Sequence, residues 1–232
     1  MTDTRNDVAA SATDVAAPDV APTAVLDLDR EPWTALANYA IKVALFVSFF
    51  IAIVIPPEVV VGKGMGFRAP LFLASAVLVP IIAKARKWDP YPHAADALLA
   101  APFLVDTLGN LLGFYDAFLV TDDVLHLVNW VLLVMAYHAF RFRNVHERRD
   151  AVLLGYGFGA LMIIWWEILE WAVSEDGIGG VAGLALTYED TIADLFLSST
   201  GGLLGSIIAL YVLGPNASAP DVDAWTKLDS MV

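Results

Sequence analysis

Two glutamates three residues apart, Glu167 and Glu170, stand inside an otherwise apolar run, "GALMIIWWEILEWAV", from Gly159 to Val173. On a helix, residues three or four apart share a face. Three other apolar stretches carry polar groups at the same spacings: Asp106 with Asn110, Asp122 and Asp123 with His126, and Asp190 with Asp194. A single charge in hydrocarbon costs at least ~2.5–3.5 kcal/mol on insertion scales. Scattered anions would be hard to hold, and gathered anions repel. A cavity that collects them must therefore protonate some or neutralise them with cations. Carboxylates with one neutral imidazole form a hard, oxygen-rich site with one nitrogen ligand, suited to Mg²⁺, Mn²⁺, Fe²⁺ or Zn²⁺. The candidate metal ligands are Asp123, His126, Glu170, Asp190 and Asp194, and the candidate catalytic bases are Glu167 and Asp106. Four-helix dinuclear carboxylate sites use a Glu–His pair at i,i+3 on two helices. Here only Asp123 and His126 have that form, so the pattern is not read as a di-iron centre.

The elements that must position these groups follow from composition. The chain has 232 residues, 58% of them hydrophobic, against about 45–50% for a soluble domain. Its mean hydropathy is +0.65. The excess lies in long runs, each near the ~20 residues that cross a bilayer. They are Ala37–Pro56, Phe67–Ala83, Ala94–Tyr115, Asp123–Phe140, Ala151–Val173 and Thr191–Leu213. The second is short and contains Pro80. Backbone groups must be satisfied internally in lipid, which makes these spans helices. The expected fold is an all-α transmembrane bundle of about six spans over residues 32–214. Disordered tails are expected at 1–31, acidic and without lasting periodicity, and at 215–232. No signal-peptide pattern opens the chain. Cysteine is absent, which excludes disulfides and thiolate metal sites. A formal net charge of −13 argues against nucleic acid as a partner and leaves membrane lipid.

Lys and Arg in short loops set the orientation. "KARKWDPYPH" (Lys84–His93) and "RFRNVHERR" (Arg141–Arg149) are basic, and the loops at the other ends of the same helices are acidic. This places the basic loops and both termini in the cytoplasm of an inner-membrane protein. Lys63 and Arg68 lie between the first two spans and oppose that assignment. Lys42, near the start of the first span, is expected to snorkel to the interface. In this topology Asp106, His126, Glu170 and Asp194 all fall in the outer halves of their helices. Asp106 is deepest, ~15 Å below its helix end.

Each residue also has a structural reading. Asp122 and Asp190 stand where helices begin and can cap them. Asp123 can be a solvated first-turn residue, and His126 can bond a neighbouring helix. Asp106 can pair with Asn110, and Glu167 and its neighbouring tryptophans can meet the headgroup region. His93, His138 and His146 fall at the opposite membrane face, where Asp96 is expected to pair with Lys84 or Arg86. Gly155, Gly157, Gly159, Gly201, Gly202 and Gly205 suit close helix packing. Pro80 and Gly109–Gly113 are potential helix breaks. Ser198, Ser199 and Thr200 lack the partners of a nucleophile and suit packing or backbone bonding. No phosphate loop, dinucleotide fingerprint or HExxH occurs.

"DTLGNLLGFYD" (Asp106–Asp116), "DDVLH" (Asp122–His126), "WEILEW" (Trp166–Trp171) and "DTIADL" (Asp190–Leu195) followed by Gly201 resemble, in order and spacing, the YjdF-like family of uncharacterised bacterial multi-pass inner-membrane proteins. The resemblance covers roughly residues 90–210. "DDVLH" also resembles the start of a helix in VanZ-like membrane proteins. The YjdF-like resemblance implies a polytopic helical protein marked by the polar residues above, and it implies no activity. It also implies an Asp one turn after the last motif. Ser198 stands there, leaving this chain one carboxylate fewer.

Three functions fit these residues. A metal-dependent enzyme would act on a lipid or lipid-linked substrate at the outer leaflet. A proton- or cation-coupled transporter would use the same carboxylates, with Asp106 as the deep protonation site. A structural subunit would pair the carboxylates off without metal.

Overall fold

A computed structural model describes residues 32–141, 148–174, 177–178 and 187–213. The two expected tails lie outside the described residues, as does His146. The described residues form helices α1 (Pro32–Val54), α2 (Met65–Arg86), α3 (His93–Leu111), α4 (Phe114–Ala117), α5 (Thr121–Arg141), α6 (Arg148–Val173) and α7 (Tyr188–Val212), with a short 3₁₀ turn at Glu58–Val60. No strand occurs among them. All but α4 and the 3₁₀ turn are long and apolar enough to cross a membrane, six helices in all.

Their outward faces suit lipid. Leu36, Val43, Phe46 and Phe50 on α1 are exposed, as are Leu153, Leu161, Ile164 and Ile168 on α6. Pro70 and Pro80 lie inside α2 without ending it. Gly113 does end a helix. Its φ of +71° is a left-handed backbone that suits glycine, and the third span stops at Leu111 rather than Tyr115. The turn folds Tyr115 back over α3, where its ring would stand 3.1 Å from a Cβ added at Gly109.

α3, α5, α6 and α7 are neighbours: α5 packs on α3, α6 and α7, and α6 packs on α7. The sequence alone left that adjacency open. Small residues allow the approach. A side chain at Gly201 would strike the Leu127 carbonyl, and a Cβ at Gly205 would lie 2.6 Å from that of Val131. Gly159 meets the Cα of Gly202 across the α6–α7 contact. On the other side of the bundle α1 packs on α2 and α3, and α2 packs on α3.

Candidate metal centre

Helices alternate in direction, so the end of α3, the start of α5, the end of α6 and the start of α7 lie together. On α5, His126 is buried at 9% exposure. Its Nδ1 lies 2.9 Å from the Ser198 hydroxyl of α7. Its Nε2 faces Asp194 Oδ1 at 3.5 Å and Asp122 Oδ1 at 3.8 Å. Both distances exceed an ordinary N–H···O bond of ~2.7–3.2 Å. The Asp194 distance matches two ligand atoms flanking one ion, since bonds of ~2.0–2.2 Å at tetrahedral or octahedral angles place ligands about 3–3.5 Å apart, and the Asp122 distance is a few tenths of an ångström longer.

Two groups of three side chains can each present one ligand atom within 4.8 Å of the others: Asp122, His126 and Asp194, and Glu167, Glu170 and Asp194. Asp194, 3% exposed, belongs to both. Glu167 is 8% exposed, and neither of its carboxylate oxygens has a hydrogen-bond partner. A buried carboxylate left this way forfeits its hydration without replacement.

Asp106 is treated differently. Arg68 of α2 donates to both its oxygens, at 3.1 and 3.2 Å. Tyr115 donates its hydroxyl at 2.5 Å, and Asn110 reaches the second oxygen at 3.4 Å. Burial and the adjacent Asp106 charge hold the Tyr115 phenol well above its ordinary range, so its proton stays in place as the donor. Lys63 pairs with Asp116 at 2.5 Å. The two cations that opposed the orientation in sequence thus answer acids at this same end of the bundle.

Asp123 is exposed and outside both groups, while Asp122 is inside. Both are one turn from His126. On a helix Asp122 stands about 40° around the axis from His126 and Asp123 about 60° to the other side, and α7 lies on the Asp122 side. Asp190 is half-buried one turn above Asp194, outside the groups. It does not cap α7: the cap is Thr187, whose hydroxyl accepts from the Asp190 N–H at 3.1 Å. Glu170 lies in the second group and on the wall of a cavity. Trp165 and Trp171 face outward, whereas Trp166 stacks on Phe72 of α2 at 6.3 Å. Ser198 is the residue that sequence reasoning undervalued. Its place two turns below Asp190 on one α7 stripe was the available signal.

At the opposite end, Asp96 is fully buried and pairs with Lys42, with Tyr91 and Asn38 also donating to it. Lys42 therefore reaches an acid rather than the interface, and Asp96 takes its partner from α1 rather than from Lys84 or Arg86. His93 Nδ1 meets Asn38 at 3.3 Å, and His138 meets Ser206 at 3.2 Å.

The cavity measures ≈ 500 Å³. Its polar end is lined by Arg68, Asp106, Asp122, His126 and Glu170, and its walls then become apolar as far as Phe140 and Phe158. Asp122 and Phe140 are about 27 Å apart along α5 at 1.5 Å per residue.

No curated protein and no solved structure matches the chain. The model of one family, described as "Predicted membrane protein (DUF2238)", matches residues 37–214 and thereby takes in α1 from Ala37 onward, the other five long helices and every group that meets at the metal-type cluster. That span covers most of the chain and corresponds to the YjdF-like resemblance carried by the four motifs, so the protein belongs to this family of predicted membrane proteins.

Proposed function

We propose that the protein is a membrane-embedded, divalent-metal-dependent enzyme acting on the head end of a lipid or lipid-linked substrate. The observation that carries this reading is the contrast in partners. Asp96 and Asp106 are each answered by a cation, while Asp122, His126, Glu167, Glu170 and Asp194 converge with no lysine or arginine among them. A purely structural subunit would pair its acids off, which fits Asp106 and does not fit Glu167.

In this reading Asp122, His126 and Asp194 hold an ion. The ion supplies Lewis acidity and lowers the pKa of a bound water. The Ser198 hydroxyl fixes the His126 ring through Nδ1 and leaves Nε2 toward the ion. Glu170 belongs to the second ligand group and also lines the cavity wall, next to the space a substrate would fill. Arg68, held by Asp106 at the polar end, offers positive charge to an anionic headgroup. The apolar arm suits a long hydrocarbon chain. Met162, Trp165 and Leu169 both line the cavity and face outward, so on the α6 side the wall toward the bilayer is one side chain thick. Lateral entry from lipid is consistent with that wall. We place the cluster at the outer leaflet of the cytoplasmic membrane, with the basic loops inside.

The test is elemental mass spectrometry on detergent-purified protein, next to a His126→Ala/Glu170→Ala variant, followed by a screen for metal-dependent turnover of labelled phospholipids and isoprenoid phosphates in vesicles. Bound metal in the parent, its loss in the variant and turnover that chelation abolishes are the expected results. Absence of metal after loading with Mn²⁺ and Zn²⁺ sinks the reading and turns attention to proton-coupled transport.

A further inference from the structure

The two ligand groups share one residue, and that sharing has a chemical meaning. Asp194 is the only member common to Asp122–His126–Asp194 and Glu167–Glu170–Asp194. A carboxylate has two oxygens and can bind a different ion with each. We propose that the cluster is a dinuclear centre, with two divalent cations bridged by Asp194; this rests on the metal-dependent reading above and deepens it. One ion sits between Asp122 and His126 of α5, the other between Glu167 and Glu170 of α6, and α7 supplies the bridge.

Three observations support two ions over one. The first is pairing along the helices. Asp122 and His126 are four residues apart on one helix and Glu167 and Glu170 three apart on another, so each helix presents a two-ligand face toward Asp194. The second is Glu167. It is more than nine-tenths buried, neither oxygen has a hydrogen-bond partner, and a ligand atom of its carboxylate lies within 4.8 Å of those of Glu170 and Asp194. An ion held by Asp122 and His126 leaves this carboxylate unanswered, whereas a second ion gives it a partner. The third is charge. The cluster holds four carboxylates and one imidazole, and once ion binding has ionised all four, two divalent ions balance their charge where one leaves two in excess, in a setting where each uncompensated charge is costly. A bridging carboxylate suits ions about 3.5–4 Å apart, the spacing at which paired metals clamp both the attacking and leaving oxygens of a displacement. The pattern differs from the Glu–His arrangement of four-helix di-iron proteins, in which two helices each carry an i,i+3 pair with histidine. Here only α5 brings a histidine, and the α6 position is all oxygen.

This asymmetry defines the test. The full chain, purified in detergent and stripped with chelator, is reloaded with Mn²⁺, and bound metal per chain is measured by mass spectrometry alongside electron paramagnetic resonance. The expected parent value is two ions per chain with a spin-coupled signal. Glu167→Gln and His126→Gln are each expected to retain one ion, with an uncoupled six-line signal, because each removes a ligand from a different position. Glu189→Gln, on the exposed first turn of α7, is expected to keep two. Asp194→Asn, which removes the shared carboxylate, is expected to abolish the spin-coupled signal, and should it fail to fold, the two single-position variants carry the test without it. One ion per chain in the parent, lost entirely in His126→Gln and unaffected by Glu167→Gln, overturns the dinuclear centre and leaves the metal-dependent reading standing. No ion in the parent overturns both.

Discussion

Helix α3 carries two buried acids, Asp96 and Asp106, about 15 Å apart along its axis, and both have cationic partners. Lys42 of α1 answers the first and Arg68 of α2 the second, each with a tyrosine hydroxyl added. The acids on α5, α6 and α7 face one another instead, with one histidine between them. The α1–α3 half of the bundle is thus electrostatically paired, while among the described residues the acids of the α5–α7 half make no salt bridge to a lysine or arginine, and the cation that shares their cavity, Arg68, is held by Asp106. Burial of a polar group is tolerable when it is paired and costly when it is not. The first half therefore needs nothing from outside, and the second leaves its acids to protonation or to a bound cation.

The largest effect that would break this comparison is expected in the closed half. Lys42→Met leaves Asp96 fully buried without its cation. Removing one partner of a buried pair costs about 3–5 kcal/mol. We expect a sharp fall in thermal stability in detergent, with most of the loss recovered in Lys42→Met/Asp96→Asn. A Lys42→Met protein as stable as the parent would show that this pair does not hold α1 to α3.

In the open half the sign should reverse. Glu167→Met replaces a buried carboxylate that has no partner by an apolar side chain of similar length. In chelator we expect this variant to be more stable than the parent by about 1–3 kcal/mol, the penalty of an unsatisfied buried polar group. In saturating Mn²⁺ the order should invert, since ligand binding to the folded state adds about 2.7 kcal/mol at a hundredfold excess over Kd. Melting curves of both proteins with and without metal decide it. Destabilisation in chelator would mean that Glu167 has a structural partner and that the two halves are alike.

Much of this contrast was legible in the sequence, and the part that was not has physical reasons. Apolar runs of bilayer length gave six helices, and the i,i+3 and i,i+4 spacings put the acids on common faces at one end. Which face met which helix was hidden. Asp122 and Asp123 stand four and three residues before His126, both one turn away, and only the position of α7 favours Asp122. Partners for Lys42 and Arg68 were missed because each lies far along the chain from its acid. Local charge rules then read one cation as snorkelling and the other as a topological anomaly. The end of α3 was overrun because apolar Leu111 and Leu112 continue the pattern past the point where Gly113 turns the backbone. Ser198 was discounted as a missing carboxylate, although a hydroxyl at that place can still orient the histidine.

Ser198→Ala sharpens the comparison from inside the open half. It removes the hydroxyl beside His126 Nδ1 and frees the ring to turn or change tautomer. Loss of such an orienting partner typically weakens metal binding 10–100-fold, and Ser198→Thr, which keeps the hydroxyl, should lose far less. Isothermal titration with Mn²⁺ reads this directly. Unchanged affinity in Ser198→Ala would remove the histidine from the ligand set or the serine from its support.

The smallest effect belongs to Tyr115, on the closed side of the boundary. Its hydroxyl donates to Asp106 Oδ1, but Arg68 and Asn110 remain if it is removed. Tyr115→Phe should therefore cost only about 1 kcal/mol, the net worth of one hydrogen bond with its acceptor still served. The pH dependence identifies the cause. The folded protein holds the Tyr115 phenol above its ordinary value, through burial first and the Asp106 charge second. An unfolded tyrosine releases its proton near pH ~10. The stabilisation is therefore complete below about pH 10 and declines as pH rises toward the higher folded value. Above pH 10 the parent should lose stability faster than Tyr115→Phe, and the two melting temperatures should converge. Parallel curves would mean that the phenol is not a donor to Asp106, and that the ion pair with Arg68 closes that half of the bundle without it.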